Sequence, residues 1–186
     1  TGSDNSARHF EQYFGRYPNI IRRNRTGVAI LSGEESKEEL AGLIRDAYQY
    51  FGLGCRNVTK IYLPHNYDLN QLFEASLAYT YLMENKKFAN NYLYHKSLMM
   101  MDKVPVIEND LLFLTENKRL YSPVSVLNYE YYSNLETLEE ELKLYENSIQ
   151  CVVSKKHTPF GEAQNPQLNQ YADGIDTFEF LTNLNE

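Results

Sequence analysis

Tryptophan is absent from this 186-residue chain, and there are only two cysteines, Cys55 and Cys151. Two cysteines make no disulfide framework, and neither they nor the four histidines fall at a zinc-ligand spacing. The expectation is no metal site, with free thiols in a reducing, cytoplasmic setting. No apolar run approaches the ~20 residues that cross a bilayer, and the basic, apolar, small-residue succession of a signal peptide is missing. Cations are outnumbered, 18 against 25 acidic residues. General affinity for nucleic acid is thereby disfavoured, because phosphate binding needs clustered positive charge. One cluster departs from this balance, Arg22-Arg23-Asn24-Arg25, which reads as a solvated turn or as an anion site for a phosphorylated cofactor or substrate. No repeat, low-complexity segment or Pro/Gly/Ser-rich linker divides the chain.

Residues 4 to 14 read as a short helix ended by Gly15 and the Tyr17-Pro18 break. Val28 to Leu31 is a short run of strand character. Ser32 to Glu35 and Ser36 to Glu39 are overlapping capping boxes. Leu40, Leu43, Ile44, Ala47 and Phe51 follow at spacings of three and four, the apolar stripe of a helix of about four turns that Gly52 and Gly54 stop. Lys60 to Leu63 predicts a strand, and helices are predicted over Leu69 to Met83 and Lys86 to Met101. Val104 to Thr115 reads as two short strands around a turn at Asn109-Asp110, and Val124 to Tyr129 as another strand. A capping box at Ser133 to Glu136 opens a helix carrying Leu135, Leu138, Leu142 and Tyr145, and Ile149 to Val153 is the last strand. Strands alternating with helices predict an α/β fold, a three-layer sheet with helices on both faces.

The position with most chemical content is Cys55, in Phe51-Gly52-Leu53-Gly54-Cys55-Arg56-Asn57. Glycines flanking a thiol permit a tight turn and close approach, and exposed backbone N–H groups there can stabilise an oxyanion. Arg56 beside the thiol favours the thiolate. Local sequence alone leaves Cys55 between a packed structural cysteine and a nucleophile. Cys151, inside Ile149-Gln150-Cys151-Val152-Val153, reads as a small core hydrophobe. The histidines, His9, His65, His95 and His157, are scattered with no triad spacing, and the carboxylates of residues 136 to 141 read as a solvated helix face.

Taken in order, these pieces resemble the C-terminal half of the aldehyde dehydrogenase superfamily. Thr1-Gly2-Ser3 before a helix is similar to that family's Thr-Gly-Ser cofactor loop. Thr26 to Leu31, Gly33-Glu34-Glu35 and the helix to Phe51 resemble the strand, acidic turn and helix before its catalytic cysteine, and Gly54-Cys55 falls where that cysteine belongs. Leu120-Tyr121-Ser122-Pro123-Val124 resembles the Ile-Phe-Gly-Pro-Val loop near the cofactor ribose, and Phe160-Gly161 a Phe-Gly pair near the C-terminus. A narrower branch, the long-chain acyl-CoA (acyl-protein thioester) reductases of the bacterial luminescence type, is similar over Tyr17 to Arg22, Tyr50 to Val58 and Tyr171 to Thr177.

The resemblance implies an aldehyde dehydrogenase catalytic-domain fold. Residues 1–25 would end a truncated cofactor-binding domain and cross over, 26–160 would form the catalytic domain, and 161–186 a C-terminal segment. It implies Cys55 as nucleophile on a turn of Gly54, Arg56 and Asn57, with cofactor contacts from Gly2, Ser3, Tyr121 and Pro123. NADPH is the implied cofactor, and a fatty acyl-CoA or acyl-carrier protein the implied partner. The missing N-terminal half and a second copy of the chain are further implied partners. Two departures matter. Where hydrolytic members carry a water-activating glutamate, Ile20 to Arg25 has no carboxylate, and Arg119 stands where the family has a ribose-binding glutamate. The first departure favours reduction of an acyl-cysteine to aldehyde. Oxidation of aldehydes to acids is the alternative, and a non-catalytic α/β interaction domain is the rival of another class.

Overall fold

A computed structural model describes residues 4–185 of the chain. Six strands form one sheet: β1 (Thr26–Ile30), β2 (Val58–Pro64), β3 (Ile107–Glu108), β4 (Phe113–Glu116), β5 (Val126–Tyr132) and β6 (Ile149–Val153), in the order β3-β4-β5-β2-β1-β6. All neighbours run parallel except β3 and β4. The helices are α1 (Asp4–Phe14), α2 (Lys37–Tyr48), α3 (Asn70–Ser76), α4 (Lys86–Met101), α5 (Leu135–Lys143) and α6 (Thr177–Thr182). Among the described residues no helix is long and apolar enough to cross a membrane.

The period-two alternation of the strands decides the layers. Ala29 and Leu31, with Ile61 and Leu63, face a core completed by Leu40, Leu43, Ile44 and Ala47 of α2, Leu72 of α3 and Phe88 of α4. Val28, Ile30 and Tyr62 point the other way, onto Leu138 and Leu142 of α5. Helices therefore cover both faces, as the sequence predicts. Lys60 shares a strand with these residues and is fully buried. Its ammonium meets Glu130 at 2.9 Å and the Asn117 carbonyl. Burial pulls its pKa down, and the Glu130 contact opposes that shift.

Beyond shifts of one or two residues at the ends of β1 and β2, four elements differ from expectation. The helix opened by Ser36, whose reciprocal capping box with Glu39 forms, ends at Tyr48 instead of Phe51. Tyr50, Phe51 and Gly52 all take the left-handed conformation, with φ of 56°, 59° and 71°, so the chain turns out and Phe51 is exposed. The helix predicted over Leu69 to Met83 breaks after Ser76 into a 3-10 stretch, Leu77–Glu84. There the Ser76 hydroxyl donates back to the Phe73 carbonyl at 2.8 Å, a local bond that competes with helix continuation. Strand β5 starts at Val126, because the Val126 N–H first closes a turn onto the Pro123 carbonyl. Helix α5 is capped by Asn134, not Ser133: the Asn134 side chain accepts the Thr137 N–H at 3.0 Å.

Candidate active site

Cys55 is exposed, on the turn that joins the left-handed exit of α2 to β2. Asn57, fully buried beneath it, holds that turn. Its Oδ1 accepts the Gly54 N–H at 2.7 Å, while its own N–H donates to the Gly54 carbonyl at 3.1 Å. Its Nδ2 group reaches three backbone carbonyls at the end of α2: Asp46 at 2.8 Å, Gln49 at 2.9 Å and Ala47 at 3.2 Å. The Asp46 and Ala47 carbonyls lie in the last turn of α2, where helical N–H partners run out, and one side chain serves all three. The sequence points to Asn57 as part of the nucleophile turn. The structure gives it the work of fastening that turn to a helix end. Gly54 is required by contact, since a Cβ there would lie 2.9 Å from Asn57 Oδ1.

A segment more than a hundred residues away closes over the same turn. Asp46, the last carboxylate of α2 and fully buried, accepts the Gly161 N–H at 2.6 Å and the Ala163 N–H at 3.0 Å. Burial raises its pKa to about 6, against the pull of those two N–H groups. Arg56 donates from Nε to the Ala163 carbonyl, and Arg45 donates to the Gly161 carbonyl at 2.5 Å. The close approach needs Gly42, where a Cβ would sit 2.8 Å from the Phe160 carbonyl group. Phe160-Gly161 thus belongs to the site's frame. Asp46 is the residue that sequence reasoning missed. The signal was a carboxylate three positions after Leu43, on the apolar side of an amphipathic helix.

Cys151 is buried in β6, where its Sγ contacts the Arg56 carbonyl at 3.5 Å. Desolvation pushes its thiol up to about 11. It also lines a cleft of 690 Å³ with Arg25, Arg56, Lys143, His157 and Tyr171. His157 is fixed by a 2.8 Å contact from its Nδ1 to Ser154 Oγ. Among the described residues, no group of three or more His, Cys, Asp or Glu is placed to hold a metal ion.

Tyr121 and the exposed Pro123 lie on the loop before β5, at the end of the sheet where the parallel strands begin. The Tyr121 hydroxyl donates to the Asn24 carbonyl at 2.9 Å, and its ring lines a second cleft, of 550 Å³, with Arg23, Arg25, Ser148 and Asp173. The arginine cluster lies on an irregular segment with Arg23 and Asn24 exposed, and its three arginines meet carboxylates. Arg22 and Arg25 both pair with Asp173, at 3.3 and 3.4 Å, and Arg23 pairs with Glu11. Gly2 and Ser3 lie outside the described residues.

No family model matches the sequence, and no curated protein matches it. Solved structures do. Aldehyde dehydrogenase 21 from Physcomitrella patens, in complex with the reaction product succinate, superposes with a TM-score of 0.56 at 10% identity, covering 98% of this chain and 41% of that one. An indole-3-acetaldehyde dehydrogenase complexed with NAD+ gives 0.52 at 12% identity, over 82% of this chain and 38% of that one. The Δ-pyrroline-5-carboxylate dehydrogenase from Mycobacterium tuberculosis gives 0.50 at 16%, over 82% and 35%. The chain therefore spans less than half the length of the structures it matches. At these identities the likeness is one of fold, and the sheet carrying Cys55 has the fold of an aldehyde dehydrogenase catalytic domain.

Proposed function

We propose that this chain carries the nucleophilic thiol of a nicotinamide-dependent oxidoreductase working between the aldehyde and acyl oxidation levels, with Cys55 as the residue acylated. The observation that carries this reading is an exposed thiol on a turn fastened from below by Asn57 and from the side by Arg56, in a fold shared with aldehyde dehydrogenases. A nucleophile must meet its substrate in a fixed orientation.

Two directions of reaction are open to such a thiol. Aldehyde oxidation is supported by the matched structures, which are aldehyde dehydrogenases. Here Cys55 Sγ adds to the aldehyde carbon and the carbonyl oxygen becomes the hydroxyl of a thiohemiacetal. Its conversion to a thioester needs a hydride acceptor, the chemistry a nicotinamide supplies when bound. Reduction of an acyl thioester is the second reading, supported by the lack of a carboxylate in Ile20 to Arg25 and by the resemblance to acyl-CoA reductases. In that direction the thiolate attacks the thioester carbonyl, an oxyanion forms for which the Cys55 backbone N–H is the natural donor, and the CoA or carrier thiolate leaves and takes a proton from water.

The cations nearest the Tyr121 loop are already engaged within the chain. Arg22, Arg23 and Arg25 are paired with carboxylates and the Tyr121 hydroxyl with a carbonyl. In this reading the cofactor, NADPH by resemblance, is held chiefly by protein beyond these 186 residues. The test is peptide mapping after incubation with a long-chain acyl-CoA alone, or with a long-chain aldehyde plus NAD+ or NADP+. Acylation of Cys55 by acyl-CoA alone supports the thioester direction. Acylation only with aldehyde and nicotinamide, in protein extended to include the cofactor-holding part, supports oxidation. No adduct on Cys55 in either arm contradicts both.

A further inference from the structure

We infer that Asp46 is a positioning residue for Cys55, acting through the Phe160–Ala163 segment and Arg56; the inference rests on the reading of Cys55 as nucleophile. The contacts form a closed ring. The Asp46 carboxylate accepts the Ala163 N–H, the Ala163 carbonyl accepts from Arg56 Nε, and Arg56 is followed by Asn57, whose Nδ2 donates to the Asp46 carbonyl. The ring closes on the residue where it starts. Cys55 sits on it between Gly54, bonded to Asn57, and Arg56. The carboxylate thus reaches one neighbour of the thiol, Arg56, through Ala163, while the backbone carbonyl of the same residue holds Asn57 and through it the other, Gly54.

Ionised, this carboxylate is costly to keep buried. It is fully buried, and its hydrogen-bond partners are two backbone N–H groups rather than a cation. Its pKa is raised from 3.8 to about 6, chiefly by burial. A carboxyl whose folded pKa lies above its unfolded value binds its proton more tightly when folded. Its contribution to stability is thus fully present below about pH 4 and lost as pH rises through about 6. At neutral pH the ionised group costs stability, and what it secures is the loop that holds Arg56. The charged and titratable groups around it are Arg45 and Glu162 at its flank, Arg56 beyond Ala163, Cys151 on β6 and Tyr79 after α3. Burial raises Tyr79 and Cys151 away from this range, so Asp46 and the half-buried Glu162 are the carboxylates to separate.

The experiment measures alkylation of native Cys55 by iodoacetamide from pH 5 to 7.5, read by peptide mass spectrometry, in the wild type, Asp46→Asn and Glu162→Gln. In the wild type the logarithm of the rate is expected to inflect near pH 6, above the smooth slope of thiol ionisation. Glu162→Gln keeps the inflection. Asp46→Asn loses it and labels Cys55 about fivefold more slowly at pH 7.5, the scale of one lost buried hydrogen bond. A folded Asp46→Asn with unchanged rate and profile overturns the inference. Should that variant not fold, the wild type decides alone: a profile without the inflection, together with Gly161 and Ala163 amides whose exchange protection does not change across pH 6, overturns it as well. Slow labelling of wild-type Cys55, no faster than Cys151, would instead remove the nucleophile reading on which the inference stands.

Discussion

The two cysteines share a neighbour and differ in everything else. The Arg56 carbonyl touches the Cys151 thiol, and Arg56 itself follows Cys55 in the chain. Cys151 lies in regular β structure, buried, with its pKa pushed up to about 11 by desolvation. Cys55 lies where regular structure stops, exposed beyond three left-handed residues. The difference teaches that the backbone around a thiol decides its role. A strand interior makes cysteine a small hydrophobe, and an irregular turn bonded down from beneath presents it to solvent in a fixed orientation.

The comparison breaks most severely if the support under Cys55 goes. Asn57→Ala removes the side chain that serves three carbonyls and the Gly54 N–H. It is expected to cost about 3 kcal/mol in urea denaturation and to bring the labelling rates of the two cysteines together. Gly54→Ala comes next. Its Cβ would lie 2.9 Å from Asn57 Oδ1, so the turn must shift, at about 2 kcal/mol by thermal or urea unfolding, with slower labelling of Cys55 alone. The smallest effect sharpens the contrast from the other side. Cys151→Ala leaves a small void in the core, costs about 1 kcal/mol, and should leave the labelling of Cys55 within twofold of wild type.

Short apolar runs made the strands legible. Val28 to Leu31 reads as an apolar run of strand character, whose residues the structure then turns to alternate faces, and α4 falls over Lys86–Met101, the range the pattern predicts. Local chemistry made the Ser36 capping box legible for the same reason: all its parts lie within four residues. What escaped were contacts between distant segments. Nothing near Arg22 or Arg25 in sequence names Asp173, some 150 positions away, as their partner. Nothing near Cys55 names Ala163. The left-handed Tyr50 and Phe51 also went unread, because neither residue type favours that conformation and the carbonyls beside the turn are met by Asn57, eight or more positions on. Asp46 was readable in part, as a charge on an apolar stripe, but its function depends on a loop more than a hundred residues later.

The most direct test of the account is competitive alkylation of the native chain with iodoacetamide at pH 7.5, counting adducts on Cys55 and Cys151 separately. Raised from 9.0 to about 11, the Cys151 thiol carries about a hundredfold less thiolate than it would unburied, and burial slows its access further. The account predicts that Cys55 labels at least about a hundredfold faster than Cys151, and that the two become equal in denaturant. Equal labelling in the folded chain, or faster labelling of Cys151, would contradict it.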